Sequence, residues 1–264
     1  RFLVEARAIA RLQHPNVIAV HRVGEAEGLP FLVTELVSGR PLSELPRPLP
    51  PERIVAIGLD LARGLAAAHR RGVLHRDVKP ANAIVDDDGK VKLIDFGLAV
   101  IAAAPEADEA GAGGAITGRK PAESSGSRLA GTPVYMAPEA LSGEPATVKS
   151  DLYSVGAVLY ELAAGVAPRE TLPEDADDAT WTAGVGAPLR GPDIEPRLAS
   201  IIERCLAPLP EDRFPSADAL VDALSLISAA PAAPVVGGNP YRGLASFEAA
   251  HRGVVDDFLG ARRG

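Results

Sequence analysis

The sequence predicts an α+β fold, with short strands early in the chain and helices over most of the remainder. Short apolar runs rich in β-branched residues occupy 17–35 and 83–94, as strands require. From residue 51 onward, longer stretches repeat their apolar residues at helical spacing. With 264 residues, of which 47% are hydrophobic, the chain is long enough to bury a core.

The composition indicates which partners and which cellular location this protein is expected to have. The formal net charge is −8 and no cluster of Lys and Arg stands out, so we expect no nucleic-acid partner. Cys205 is the single cysteine, which excludes an internal disulfide, fits a reducing, cytoplasmic location and is expected in the core. The apolar run at 152–167 is interrupted by Glu161 and two glycines, so we expect no membrane span.

The first elements are a helix and two strands. A helix is predicted for residues 1–13, ended by His14 and Pro15. Its apolar face consists of Leu3, Ala6, Ile9 and Ala10. Strands at 17–23 and 29–35 are expected next, joined by a turn rich in Gly and Glu.

A long helix is predicted to begin at Pro51, after a short helix and a proline-rich connector that start at Pro41. Proline is favoured in the first turn of a helix, and Gly72 is expected to end this one. Its predicted buried stripe contains Ile54, Ile57, Leu61, Leu65 and Ala68. This helix leads directly into residues 75–82, which it is expected to support.

Residues 75–82 place a carboxylate, an ammonium and a carboxamide within one short loop. Strands at 83–85 and 91–94 are predicted to form a hairpin, joined by an Asp-rich turn that ends in Gly89. This hairpin would bring Asp95 back beside the loop.

The chemistry of this region favours metal and phosphate. Oxygen atoms of Asp77, Asn82 and Asp95 are the kind of ligands that hold Mg²⁺ together with phosphate oxygens. Lys79 adds a point charge suited to a phosphoryl group.

The later chain alternates an unpatterned segment with helices. Residues 102–127 are rich in Ala, Gly, Glu and Ser without periodicity, which predicts a disordered insertion. Its hydroxyl groups include Thr117, Ser124, Ser125 and Ser127. Order is expected again at 131–139, and helices are predicted from Ser150 and over 196–206. The inward positions of the helix from Ser150 are Leu152, Val155, Leu159 and Leu162.

Five stretches in this order resemble the motifs of bacterial eukaryotic-like (Hanks-type) serine/threonine protein kinases. They are His75-Arg76-Asp77-Val78-Lys79-Pro80-Ala81-Asn82, Asp95-Phe96-Gly97, residues 131–139, Asp151 and residues 210–214. The resemblance covers residues 1–227 and implies a two-lobe kinase fold with a mostly helical C-lobe and an incomplete N-lobe sheet. We call residues 131–139 the docking run, because the matching segment of these kinases docks the substrate.

The resemblance implies roles for the loop residues. Asp77 would accept the proton of the substrate hydroxyl, and Lys79 would steady the γ-phosphate of ATP. Asn82 and Asp95 would hold Mg²⁺. Thr132 would contact Asp77 and Lys79. Protein substrates that carry Ser or Thr are the implied partners.

The resemblance also implies where ATP binds. Glu5 would pair with an ATP-binding lysine, and Thr34 would lie at the gatekeeper position. Glu35 and Val37 would supply hinge contacts to adenine, and Ile84 would line the nucleotide site.

The same resemblance implies a regulatory role for Arg76 and structural roles for several other residues. Arg76 would pair with a phosphate carried by Thr117, Ser124, Ser125 or Ser127. His75 would pack on Phe96 as a core residue. Asp151 would accept backbone N–H groups of the catalytic loop, and Arg213 would pair with Glu139.

The resemblance predicts three regions: a partial kinase domain at 1–227, a Pro/Ala/Gly linker at 228–238 and a tail at 239–264. The tail resembles the opening of a STAND-type ATPase domain. No glycine-rich loop or strand lysine precedes Glu5, which implies an N-terminally truncated kinase. The fragment is therefore expected to be inactive on its own.

Two other hypotheses stay open. A non-catalytic kinase-like interaction module would be expected to lack Asp77, Asn82 or Asp95, all of which are present. A small-molecule phosphotransferase of the aminoglycoside-kinase type shares a similar Asp and Asn. Such enzymes usually lack the match at Lys79 and the docking run.

Overall fold

The computed structural model describes residues 9–26, 29–96, 132–171, 187–189 and 194–228. The chain divides into two units, residues 1–229 and 230–264, and all of the described residues belong to the first. Strands and helices both occur there, which confirms the predicted α+β class.

The first two strands form an antiparallel pair, β1 (Val20–Ala26) and β2 (Leu29–Thr34). The predicted start of β1 at residue 17 is wrong, because Val17 and Ile18 pair with a different strand. Val17 forms a parallel bridge with Leu93, and the Ile18 N–H donates to the Leu93 carbonyl at 2.9 Å. This segment therefore joins the strand that leads to Asp95.

A second sheet contains β3 (Gly39–Pro41), β4 (Ala83–Asp86) and β5 (Val91–Leu93), in that order. The β4–β5 hairpin confirms the prediction, with Ala83 opposite Leu93. The sequence did not predict β3, because three residues are too few to show alternation. The predicted helix after Pro41 is a single 3₁₀ turn, Leu42–Glu44.

The long helix α1 (Pro51–His69) begins where the sequence predicts, and all five residues of its expected stripe are buried. It also positions β5. Asp60 is buried on α1, and its Oδ2 accepts the N–H of Val91 at 3.0 Å. The amide of Asn16 donates to the carbonyl of the same Val91 at 2.8 Å, so both backbone groups of that residue are held.

Four helices follow in the described residues: α2 (Pro138–Leu141), α3 (Val148–Ala164), α4 (Pro196–Cys205) and α5 (Ala217–Ser228). The central helix is α3, whose residues 150–163 are all buried. This helix begins two residues before the predicted start at Ser150, and its N-cap is Thr147, which forms a capping box with Ser150. The sequence did not single out α5, which packs along α1.

Several sequence predictions lie outside the described residues. They are Glu5, Gly97, the insertion at 102–127 with Thr117, Ser124, Ser125 and Ser127, the linker from residue 229 on, and the tail at 239–264. The backbone of Thr132 is described as the start of a 3₁₀ turn, whereas its side chain is not. Of the helices that the structure describes, none is long and apolar enough to cross a membrane.

Candidate active site

Asp151 on α3 holds the backbone of the loop at 75–82. Its carboxylate is almost completely buried and accepts the N–H of His75 at 2.9 Å and the N–H of Arg76 at 2.8 Å. Nε2 of His69, at the end of α1, lies 2.8 Å from the same carboxylate. Arg76 has a positive φ of 66°, a left-handed conformation that costs energy for a residue with a side chain. The two N–H bonds that Asp151 accepts offset that cost and confirm the predicted role of Asp151.

His75 joins the loop to the chain beyond β5. Its ring packs on Phe96 with centroids 4.5 Å apart, and its Nε2 donates to the carbonyl of Ile94 at 3.0 Å. Nδ1 lies 3.4 Å from the N–H of Asp77, a position in which it acts as an acceptor. These partners require the neutral Nε2–H tautomer, and burial lowers the pKa of His75, which favours that neutral form.

Asp77, Lys79 and Asn82 form one hydrogen-bonded cluster. Oδ2 of Asp77 accepts from Nζ of Lys79 at 2.7 Å and from Nδ2 of Asn82 at 2.8 Å. Nδ2 of Asn82 also donates to the backbone carbonyl of Asp77 at 2.9 Å. The other carboxylate oxygen of Asp77, Oδ1, is buried and has no hydrogen-bond partner among the described residues.

Asn82 and Asp95 have the oxygen atoms that a Mg²⁺ site needs. Because Nδ2 of Asn82 is committed to Asp77, its Oδ1 faces the other way. The N–H of Ile94 donates to the backbone carbonyl of Asn82 at 3.0 Å, so the residue before Asp95 lies against Asn82. Asp95 is exposed, has a φ of 54°, and receives no hydrogen bond from any described residue. One carboxamide and one carboxylate oxygen, with room for phosphate and water, fit the way proteins bind Mg²⁺.

The residues predicted to contact ATP lie on the segment after β2 and on the second sheet. Glu35 receives two bonds from Nζ of Lys92, at 2.8 and 2.9 Å, and one from the N–H of Ala19 at 2.9 Å. Partial burial raises the pKa of Glu35, but these hydrogen bonds outweigh it and hold the pKa below its usual value. Ile84 on β4 lies opposite Lys92 on β5 and is half-buried. In the described part of the chain, the backbone of Val37 has no hydrogen-bond partner.

The C-terminal end of the docking run is bonded to α3 and to the segment between α4 and α5. Arg213 is buried and forms two bonds of 2.8 Å with the carboxylate of Glu139, which confirms the predicted pair. Burial raises the pKa of Glu139, but the bonds from Arg213 outweigh it and bring the pKa below its usual value. The hydroxyl of Ser150 donates to the same carboxylate at 2.9 Å.

The structure thus brings Asp77, Lys79 and Asn82 into direct contact. Asp95 directly follows Ile94, whose N–H bonds to Asn82. Glu35 and Val37 lie on the segment after β2, and Ile84 lies on β4, two residues after Asn82. Among the described residues, none of these three side chains forms a hydrogen bond with the Asp77 cluster. Sequence reasoning missed Lys92 as the partner of Glu35. Its only sequence signal is a lysine in a strand that is otherwise apolar.

Comparisons with known proteins find similar sequences over most of this chain. A family model described as the protein kinase domain matches residues 1–224. Serine/threonine-protein kinase PknL of Mycobacterium tuberculosis is 42% identical to this chain over 171 residues, which are 64% of this chain and 39% of PknL. Serine/threonine-protein kinase PknB of Mycolicibacterium smegmatis is 33% identical over 226 residues, 82% of this chain and 34% of PknB.

Serine/threonine-protein kinase PknH of Mycobacterium bovis is 35% identical over 225 residues, 81% of this chain and 34% of PknH. The chain therefore spans between 34% and 39% of the length of these three relatives.

Proposed function

The chain belongs to the protein kinase family, and we propose that the full protein transfers the γ-phosphate of ATP to Ser or Thr hydroxyls of protein substrates. The family has the two-lobe kinase fold, with which the small sheets and the helices of this chain agree. The relatives are serine/threonine-protein kinases by name, and the matches to PknB and PknH extend over four fifths of this chain.

The observation that carries the proposal is the unequal bonding of the two carboxylate oxygens of Asp77. Lys79 and Asn82 hold Oδ2, which fixes the direction of the carboxylate. Oδ1 is a buried acceptor without a donor among the described residues. Leaving such an acceptor unpaired costs free energy, so the site is suited to a donor that these residues do not supply. A substrate hydroxyl is such a donor.

The residues then divide the work as follows. Asp77 orients the hydroxyl of the substrate and accepts its proton through Oδ1, as a general base within hydrogen-bond reach. Asn82 keeps Asp77 in place through Nδ2. Asn82 and Asp95 would hold Mg²⁺, which neutralises charge on the phosphates when bound. Lys79 bonds to Asp77 and would steady the transferred phosphoryl group.

The remaining ATP contacts are proposed from the family. Glu35 and Val37 would offer backbone groups to adenine, and the open hydrogen-bonding capacity of the Val37 backbone among described residues supports this. Ile84 would lie under the nucleotide. Glu5 is proposed to pair with an ATP-binding lysine. Thr132 is proposed to contact Asp77 and Lys79.

Regulation by phosphorylation is proposed for the same site. Arg76 precedes Asp77 and has a strained left-handed conformation. A change in the contacts of Arg76 would therefore shift the carboxylate of Asp77. A phosphate on Thr117, Ser124, Ser125 or Ser127 would add about −1.5 to −2 charge and pair with Arg76. A STAND-type ATPase region beginning at 239–264 and a cytoplasmic location also stay predictions.

One experiment tests both the activity and its regulation. The full protein is incubated with labelled Mg²⁺-ATP and a protein substrate, followed by phosphoamino-acid analysis and mass spectrometry. We expect phosphoserine or phosphothreonine, and phosphate on the chain itself between residues 117 and 132. Mainly phosphotyrosine would contradict the proposed activity. If replacing Thr117, Ser124, Ser125 and Ser127 by Ala leaves the rate unchanged, the proposed regulation is wrong.

A further inference from the structure

Arg169 contacts the middle of the docking run, whereas Arg213 contacts Glu139 at its end. Its Nη1 donates to the carbonyl of Met136 at 2.7 Å and to the carbonyl of Val134 at 3.1 Å. One guanidinium group therefore holds the backbone on both sides of Tyr135. Arg169 belongs to the 3₁₀ turn Pro168–Thr171, which follows α3.

The side chain of Tyr135 is fixed from another direction. Its hydroxyl donates to Oε2 of Glu161 on α3 at 2.6 Å. Arg47 forms an ion pair with the other oxygen of Glu161 and donates to the carbonyl of Leu42 at 3.1 Å. Burial, and then the bond to Glu161, raises the pKa of Tyr135, so the hydroxyl stays protonated and remains a donor.

The orientation of the Arg169 side chain is fixed by burial and by an aromatic ring. The side chain is only 3% exposed, and its guanidinium lies 5.5 Å from the centre of the Tyr153 ring. Arg213, which holds Glu139, lies 5.0 Å from the same ring centre. The two arginines that hold the docking run therefore share Tyr153 on α3 as a common support. Charged donors that are buried and bonded to carbonyl groups make strong, directional contacts.

We propose that Arg169 is a positioning residue for the protein substrate, because it fixes the docking-run backbone on either side of Tyr135. The proposal rests on the proposed kinase function. The groups that Arg169 holds lie on the docking run and not at the Asp77 cluster. Its loss should therefore weaken the use of protein substrate more than the use of ATP.

The test measures KM for a peptide substrate and KM for ATP in the full protein carrying Arg169→Met or Arg169→Lys. Methionine fills much of the space but donates no hydrogen bond. We expect Arg169→Met to raise the KM for peptide about 10-fold, equivalent to about 1.4 kcal/mol, while the KM for ATP changes less than about 2-fold. Lysine retains a charged donor, so Arg169→Lys should recover part of the lost affinity for the peptide.

Tyr135→Phe gives a second, independent variant, because it removes only the hydroxyl that bonds to Glu161. It should also raise the KM for peptide, and it should combine with Arg169→Lys non-additively because both changes loosen the same three-residue stretch, 134–136. Arg204→Met is the matched control. Arg204 also lies over an aromatic ring, that of Phe214 at 4.4 Å, but it is exposed and forms no hydrogen bond with the described residues of the docking run.

The outcomes separate this inference from the function on which it rests. No transfer to Ser or Thr by the wild-type protein would contradict the proposed function itself. With an active wild type, an unchanged KM for peptide in Arg169→Met overturns the inference. Equal rises in the KM for peptide and for ATP, or the same effect from Arg204→Met, would reduce Arg169 to a stabilising residue and overturn it as well.

Discussion

At the scale of single residues, the two oxygens of the Asp77 carboxylate differ in their hydrogen bonding. Asn82 donates to both the side chain and the backbone of Asp77, which fixes the carboxylate within its own loop. Asp95 receives no such bond from the described residues and is exposed. The two aspartates should therefore respond differently to loss of charge.

We predict that Asp77→Asn lowers the rate of phosphate transfer about 10²- to 10⁴-fold, the usual contribution of a general base. Asparagine retains an oxygen that can accept from Lys79, so Mg²⁺-ATP binding should change little. Asp95→Asn should weaken Mg²⁺-ATP binding as well as transfer, because it removes the charge of a proposed metal ligand. Labelled-phosphate transfer and calorimetry with Mg²⁺-ATP measure the two effects. Equal transfer by Asp77→Asn and the wild type would refute the assignment of the base.

At the scale of secondary-structure elements, α3 positions much of the site, and its own placement depends on close contact with α4. Gly156 faces α4, where a Cβ atom would lie 2.5 Å from Cβ of Cys205. Burial raises the pKa of the Cys205 thiol to about 12, which is consistent with its predicted place in the core. Gly58 on α1 offers a matched comparison. The nearest atoms to a Cβ there would be methyl carbons of Leu159 and Leu224, each at 3.1 Å.

We predict that Gly156→Ala destabilises the protein by up to about 2 kcal/mol. Overpacking costs about 1 to 3 kcal/mol, and the helical preference of Ala offsets about 1 kcal/mol of that cost. Gly58→Ala should cost less, since leucine methyl groups can move aside. Free energies of unfolding in urea compare the two variants. A wild-type stability for Gly156→Ala, or a larger loss for Gly58→Ala, would contradict the predicted contact.

At the scale of the whole molecule, a buried imidazole helps to join the loop at 75–82 to the chain beyond β5. His75 is fully buried and bonds to Ile94 while accepting from Asp77. Burial holds its pKa below the usual value of about 6.5. The unfolded chain therefore binds a proton at a higher pH than the folded chain does. The stability associated with neutral His75 is complete above about pH 6.5 and falls as the pH drops toward the folded pKa.

We predict that the free energy of unfolding falls between pH 7.5 and 5.5, with a contribution from His75 of up to about 1.4 kcal/mol per pH unit. His75→Gln loses the ring contact with Phe96, so it should be less stable at pH 7.5. Because glutamine does not titrate, the free energy of unfolding of this variant should fall less over this range. Urea unfolding at several pH values measures both slopes. Identical slopes for the variant and the wild type would mean that His75 does not set the pH dependence.

The sequence by itself determined the local features of this protein. Asp77, Lys79 and Asn82 lie within six positions of one another, so the loop alone brings their side chains together. The start of α1 at Pro51 and its buried stripe follow from local preference and helical spacing. The family resemblance added the pair of Arg213 and Glu139, which no local rule supplies.

Only the tertiary structure decided which distant residues meet. Lys92 contacts Glu35 across 57 positions, and Arg169 contacts Val134 across 35. The strand β3 exists because Gly39 lets its backbone approach that of Val85, where a Cβ would lie 2.1 Å from the carbonyl oxygen. Periodicity and propensity describe neighbours in sequence, whereas these contacts are selected by the packing of the finished core, which no short stretch of sequence encodes.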